Sequence, residues 1–360
     1  MIPTNTSGPS PTSPAETLLR PYSPSPSLTL TNRVVMAPMT RSMAGEGLVP
    51  TTAMAEYYAR RAGAGLLITE GAIVRADGQG YPDVPGIFAP AQVEGWNEVT
   101  RRIHEEGGRV FLQLWHVGRV SHPFYLDGAV PIAPSAVALE GRVPRSGGLE
   151  YGTPREASLD DIERLVEAFA DGAANAIAAG FDGVEIHGAN GYLIDQFLHH
   201  HTNLRQDAWG GSPAGMSRFA LAVVDAVVAR AGAERVGIRL SPGAYFNMQS
   251  HPDDAAVFRY LLGELETRQL AYVHVGIFER TTVFEGLGGT AEAFLRNHYS
   301  GTLIGSGGYT PESAASAVKA EEIDLVAFGR PFIANPDLVA RIRDGQPLEP
   351  YDEEMLARLE

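Results

Sequence analysis

The 360-residue chain contains no cysteine. That absence excludes disulfides, thiolate-held metals, iron–sulfur clusters and cysteine nucleophiles together. Long apolar runs are missing too. No stretch has the roughly 18 consecutive apolar residues of a membrane span, and no basic flank leads into an apolar segment at the N-terminus. A cytoplasmic protein is expected. Basic residues are few beside acidic ones, 28 against 43, giving a formal net charge of −15. A surface of that sign argues against nucleic acid or an anionic membrane as partner, and it aids solubility; local basic residues still suffice to hold a phosphate.

Apolar residues make up 44% of the chain and charged ones 20%, the composition of a soluble globular protein. The length suits one large α/β barrel or two ordinary domains. Residues 1–16, MIPTNTSGPSPTSPAE, offer hardly any apolar anchor and read as a disordered extension. Residues 17–360 then read as a single domain in which apolar runs alternate with amphipathic stretches, the signature of repeated βα units.

Eight runs read as strands: 34–37, 65–70, 109–115, 181–187, 235–241, 271–275, 302–305 and 325–328. Helical patterns follow them at 52–62, 91–106, 159–179, 217–231, 253–268, 291–297, 311–320 and 336–343. Ser158, Thr310 before Pro311, and Asn335 before Pro336 are candidate helix caps. Eight βα units predict a (β/α)8 TIM barrel; the competing doubly wound sheet lacks a glycine fingerprint after its first strand. Between Trp115 and Leu159 the connection is too long for a plain βα loop, so an insertion after strand 3 is expected as a lid or hairpin over the site.

The stretch FDGVEIHGANGYLIDQFLHHHTNLRQD, residues 181–207, carries the clearest chemistry. A strand ends here at glycines, leaving His187, Asn190 and Tyr192 at the edge where βα loops place catalytic groups. His and Asn can donate to an oxygen that gains negative charge. A phenol with a pKa of about 10 keeps its proton at neutral pH, so Tyr192 suits a proton donor. Taken alone, a His after a strand is more often a packing residue; the other strand ends decide the matter. They carry Ala37-Pro38-Met39-Thr40-Arg41, Glu70-Gly71, Gln113-Leu114-Trp115-His116 and Arg239-Leu240-Ser241. The last two strands end in Gly305-Ser306-Gly307-Gly308-Tyr309 and Phe328-Gly329-Arg330, where barrels often hold a phosphate through backbone N–H groups, a helix N-terminus and an arginine. Histidines 199–201 cannot all face one point and are expected on a loop surface, with no metal site.

These segments, with Asn203-x-Arg205-x-Asp207 and Gly210-Gly211-Ser212, resemble in order the Old Yellow Enzyme family of FMN-dependent ene-reductases, from about Leu18 to Arg343. The resemblance implies non-covalent FMN across the barrel mouth, reduced by NADPH or NADH in a ping-pong cycle. Pro38, Met39 and Thr40 would lie along the flavin, the Gly71 backbone and Gln113 would bond its polar edge, and Arg239 would sit near N1 and O2. Ser306, Gly307, Gly308, Gly329 and Arg330 would take the phosphate. An α,β-unsaturated carbonyl or a nitroalkene would place its oxygen between His187 and Asn190, receive hydride at the β-carbon and a proton from Tyr192, with Trp115 and Tyr81 shaping the pocket. Thr40 and Trp115 indicate the branch without a cysteine beside the flavin. The family offers monomers and homodimers. The chain departs from the family's aromatic, glycine-rich tail, reading YDEEMLARLE over 351–360. Two rivals stand beside this reading: an FMN-binding barrel without turnover, and a metal-dependent barrel hydrolase using His187 with His116 or His199 and Glu70.

Overall fold

The computed structural model describes residues 13–244 and 246–360. Eight strands form one closed, all-parallel barrel: β1 Val34–Met36, β2 Leu66–Ile73, β3 Val110–Trp115, β4 Gly183–Gly188, β5 Val236–Leu240, β6 Tyr272–Val275, β7 Leu303–Gly305 and β8 Leu325–Phe328. Neighbours pair in chain order, and β8 returns to β1 through Val326 opposite Val34. The expected TIM barrel is therefore present. Every barrel strand lies within two residues of its expected start, and β2 runs three residues longer through an irregular register between Ile68 and Gly71.

Helices α1 Thr52–Ala59, α2 Pro90–Glu105, α3 Leu159–Ala178, α4 Pro213–Ala231, α5 Asp254–Glu266, α6 Ala291–His298, α7 Pro311–Lys319 and α8 Leu338–Asp344 follow the strands. Ser158 caps α3 by accepting the Asp161 N–H, and Thr310 caps α7 by accepting that of Ser313. The expected cap at Asn335 is not formed. Helix α8 starts at Leu338, because the Asn335 amide instead bridges the chain to Glu349, donating to its carbonyl and accepting its N–H.

Sequence parity divides the core. Val184 and Ile186 of β4 pack with the outer helices, whereas Val35, Leu66, Ile68, Phe111, Tyr272, Ile304 and Leu325 form a separate apolar cluster with Leu28 and Leu30. The hairpin Tyr22–Ser25/Leu28–Leu30 supplies those two leucines. The extension expected over 1–16 lies outside the described residues through residue 12. Beyond it, Pro14–Leu18 is a short helix with Thr17 and Leu18 buried, so helical structure reaches into the stretch expected as an extension.

The insertion after β3 carries an antiparallel hairpin bridge at Arg142 and Glu150, and its base is closed by Ile132–Ala133 running parallel to Arg155–Glu156. Buried Arg205 clamps its base through the carbonyls of Pro134 and Ala157. Thus Arg205, with Asp207 on its guanidinium, serves loop architecture. Asn203 does likewise, bonding the carbonyls of Phe197 and Trp209.

The histidine triplet corrects the expected loop surface. His199 is 0% exposed, its ring held by Asp195 on one side and Asp254 on the other at 3.2 and 3.0 Å. His200 also reaches Asp254, at 2.9 Å, and only His200 and His201 are partly open to solvent. Asp195 in turn accepts the Gly191 N–H at 2.8 Å, so this ion-pair chain fixes the loop between Asn190 and Tyr192 to α5. Burial works against the His199 cation, but the two carboxylates prevail and lift its pKa to about 9. The folded value exceeds the unfolded one of about 6.5, so this stabilisation is complete below about pH 6.5 and fades as pH rises through about 9. Asp254 is held well below the ordinary carboxylate range by both histidines and adds stability that is lost only in acid. His199→Leu should cost about 3–5 kcal/mol, as breaking a buried pair does. In urea unfolding the gap to wild type should be widest near pH 5–6 and shrink towards pH 9; a pH-independent gap would refute the ion-pair account.

Candidate active site

A cavity of about 490 Å3 opens where the strands end. Its wall is built from successive βα junctions. Ala37, Pro38, Met39 and Thr40 follow β1; Gln113 and Trp115 close β3; His187, Asn190 and Tyr192 come from β4; Arg239 comes from β5. Ser306, Gly307 and Gly308 follow β7, and Gly329 and Arg330 follow β8. Nearly all the expected residues thus converge. Gly71 and Tyr81 do not line the cavity.

Gly71 lies behind Trp115, where a Cβ would approach the indole to 2.6 Å, so only glycine lets the ring pack there. Tyr81 stacks on Trp115 with ring centroids 5.4 Å apart and places its hydroxyl 2.9 Å from that of Tyr192. It thus lies behind Trp115, paired with Tyr192. Burial raises the Tyr81 pKa, against the opposing hydrogen bond from Tyr192.

His187 packs beside both Trp115 and Tyr192, at ring separations of 6.1 and 4.9 Å. Burial drives its pKa well below the ordinary value, and the charge of Arg239 acts in the same direction. The imidazole is therefore neutral. His187 Nδ1 and Trp115 Nε1 are buried without a protein partner. Such orphaned groups at a cavity edge call for a ligand. Asn190 adopts φ +62°, a left-handed conformation that Asn tolerates better than most residues, and its N–H donates to Ser241 Oγ at 3.0 Å.

The β1 loop is held from below by Glu70, whose carboxylate accepts the N–H groups of Arg41 and Ser42 and the Tyr58 hydroxyl. Burial pushes this carboxyl up to about 7 despite those bonds. At the opposite side, the turn after β7 bends through Gly307 at φ +103°. Among the described residues the N–H groups of Gly307, Gly308 and Gly329 have no protein acceptor. Ser306 lines the cavity and also anchors the turn: its hydroxyl donates to the Val275 carbonyl at 2.6 Å and its N–H to Glu292 at 3.1 Å. Glu292 also accepts the Tyr309 hydroxyl at 2.7 Å.

Several residues here carry little sequence signal. Arg145 arrives on the insertion hairpin, donating to the Arg41 carbonyl at 3.3 Å, and Phe246, Ile277 and Phe278 come from the loops after β5 and β6. Tyr351 and Leu356 line the cavity from the C-terminal segment, with Arg330 5.5 Å over the Tyr351 ring. Arg41 secures that segment through the carbonyls of Met355 and Arg358.

The hydrolase rival loses its ligands. Fully buried His116 is engaged by Asp77 at 3.3 Å, and His199 by its two aspartates; neither borders the cavity. Among the described residues one group of three possible ligands clusters, His200 with His251 and Asp253, also away from the cavity. The residues that do line it fit a flat, elongated anion: an apolar wall along Pro38 and Met39, amide and guanidinium donors at one edge, and free backbone N–H groups with Arg330 at the far end.

Comparison with known proteins agrees with this geometry. Residues 18–349 match the model of the NADH:flavin oxidoreductase / NADH oxidase family. A probable flavin mononucleotide-dependent alkene reductase of Leishmania infantum is 42% identical over 330 residues, covering 90% of this chain and 89% of that protein. Morphinone reductase in complex with tetrahydroNAD superposes with a TM-score of 0.87 at 42% identity, covering 94% and 93% of the two chains. The old yellow enzyme homologue from Zymomonas mobilis superposes with a TM-score of 0.88 at 37% identity, covering 94% and 96%. No described helix is long and apolar enough to cross a membrane. The chain belongs to the NADH:flavin oxidoreductase family, the old yellow enzyme group of FMN-dependent oxidoreductases.

Proposed function

We propose that the protein is an ene-reductase that transfers hydride from NADPH or NADH to activated alkenes, α,β-unsaturated carbonyls or nitroalkenes. The observation that carries this reading is the meeting, over one cavity, of the neutral His187 with its orphaned Nδ1, Asn190 and Tyr192, whose phenol is backed by that of Tyr81. Non-covalent FMN, held by the residues lining the cavity, would supply the hydride chemistry that links a nicotinamide to the alkene's β-carbon.

Pro38, Met39 and Thr40 would hold the ring on one side, with Gln113 at its polar edge. Arg239 would face the part of the ring where negative charge accumulates. Gly307, Gly308, Gly329 and Arg330 would hold the phosphate, while Ser306 keeps the turn in shape. The substrate oxygen would take hydrogen bonds from His187 and Asn190, polarising the conjugated system. Tyr192 would then protonate the α-carbon, and the Tyr81 hydroxyl would hydrogen-bond the phenolate left behind. Trp115 packs beside Tyr192 at 5.0 Å and limits the room around the alkene.

Anaerobic titration of FMN-loaded protein with NADPH should bleach the flavin spectrum, and 2-cyclohexenone should restore it. Yellow protein that neither coenzyme bleaches would favour the binding module without turnover. In stopped-flow assays Tyr192→Phe should leave flavin reduction intact and slow alkene reduction by about 10²–10⁴-fold, the usual worth of a positioned acid. Tyr81→Phe should slow the same half-reaction by about 2–10-fold, the value of one hydrogen bond. Equal losses in both half-reactions would sink these assignments. Because His187 is neutral well below pH 6.5, phenol affinity should follow the phenol's own ionisation between pH 6 and 8. His187→Ala should weaken that binding, and an affinity step near pH 6.5 in wild type would contradict the neutral imidazole.

A further inference from the structure

Beneath the cavity floor the barrel interior holds a charged layer that the proposed chemistry does not use. Glu185 of β4 is fully buried and takes two hydrogen bonds of 2.8 Å, from Gln113 Nε2 on β3 and from His274 Nδ1 on β6. Strand register explains the meeting. Gln113 lies opposite Glu185, Glu185 opposite Gly237, and His274 opposite Arg239. Because residue 237 is glycine, no side chain stands between Glu185 and His274. A Cβ there would in fact strike the Tyr272 ring at 2.2 Å.

Two members of the layer face upward into the cavity and two do not. Gln113 and Arg239 line the cavity, whereas Glu185 and His274 lie beneath it. Among the described residues the Arg239 guanidinium has a single long protein bond, Nε to the Val275 carbonyl at 3.5 Å, and its counter-charge in this layer is Glu185. Burial acts against the Glu185 carboxylate, yet His274, Arg239 and Gln113 hold its pKa below the ordinary value. Burial and Arg239 keep His274 neutral against the pull of Glu185. The layer thus combines one cation and one anion around a neutral imidazole. His274 Nε2 has no protein partner, and the Tyr272 hydroxyl, its pKa raised by burial and by Glu185, completes the surroundings.

We propose that Glu185, gripped by His274, is a positioning residue that sets the reduction potential of FMN through Gln113 and Arg239. The inference rests on FMN occupying the mouth above. By accepting from Gln113 Nε2, Glu185 fixes the amide so that its carbonyl oxygen is left for the ligand. Its negative charge also offsets part of the Arg239 field. Without that offset Arg239 would favour the electron-rich reduced ring too strongly, and hydride would be accepted from the nicotinamide but released reluctantly to the alkene. His274 keeps the carboxylate ionised. Take away its donor and a buried carboxyl is driven toward its neutral form.

The midpoint potential of bound FMN, measured against redox dyes, tests this without turnover. Glu185→Gln should favour reduced over oxidised FMN by about ten-fold, a rise of about 30 mV for this two-electron couple. His274→Leu should move the potential in the same direction, and His274→Asn, which keeps an N–H donor, should restore it towards wild type. Should E185Q fail to fold, the two His274 variants carry the test alone. Flavin-loaded variants with lowered Tm and wild-type potentials would overturn the proposal and leave Glu185 a purely structural residue. Wild-type protein that takes up no FMN would instead overturn the flavin reading on which the proposal stands.

Discussion

Closure of the parallel sheet is the constraint on which the site depends. Inside eight strands there is room only for side chains, so each inward residue must match its neighbours at the same level. Along β4 the consequence is strict: Val184 and Ile186 join the helices' core, and Glu185 and His187 fall to the inner side. The interior is consequently graded. Leu66, Phe111, Tyr272, Ile304 and Leu325 fill its lower part, Gln113, Glu185, Arg239 and His274 form a polar level above, and Trp115 and His187 reach the rim. A charged level inside a barrel carries a large desolvation cost and persists only when its hydrogen bonds are satisfied. Glu185 meets that condition with two.

Above the barrel the loops are held by arginine. The chain has a single lysine, Lys319, among its 28 basic residues. Arg41 reaches the carbonyls of Met355 and Arg358, Arg61 those of Tyr57 and Phe332, Arg119 those of Val137 and Asn247, and Arg205 those of Pro134 and Ala157. A planar fork with five donors can bridge two chain segments in a fixed geometry, which a compact ammonium on a flexible stem does poorly. Buried carboxylates do the converse by collecting backbone N–H groups: Glu70 under the β1 loop, Asp195 under Gly191, Glu292 under Ser306. Rim residues that must meet a ligand are thus oriented by groups that need not touch it.

What the sequence discloses is what period and punctuation encode. Short apolar runs between amphipathic stretches mark all eight strands, and the polar residues at their ends mark the rim, because both signals are local. The unread features depend on contacts far apart in the chain. Tyr81 sits behind the pocket since Trp115 intervenes, a relation across 34 positions of chain. His199 is buried because Asp254 arrives from α5, and nothing in a run of three histidines shows that. Glu185 had a usable signal: a carboxylate two residues before His187 in a strand must share its face. Glu292 had none, being an ordinary acidic residue in a helix's first turn until the β7 turn folds over it.

Under the proposed chemistry the rim divides its labour by charge. His187 is kept neutral by burial and by Arg239, so it meets the substrate oxygen as a hydrogen-bonding group and not as a cation. An imidazolium there would bind an electron-rich oxygen strongly from the outset, including phenols and other molecules that cannot be reduced. A neutral donor gains strength as negative charge develops on the oxygen, which is the condition for lowering a barrier instead of merely tightening binding. The permanent positive charge is reserved for Arg239, on β5 beside the flavin's place. The proton is reserved for Tyr192, whose hydroxyl is paired with that of Tyr81. Keeping cation, hydrogen-bonding imidazole and acid on three separate side chains lets each be tuned by its own support: Glu185 for Arg239, burial for His187, and Tyr81 for Tyr192.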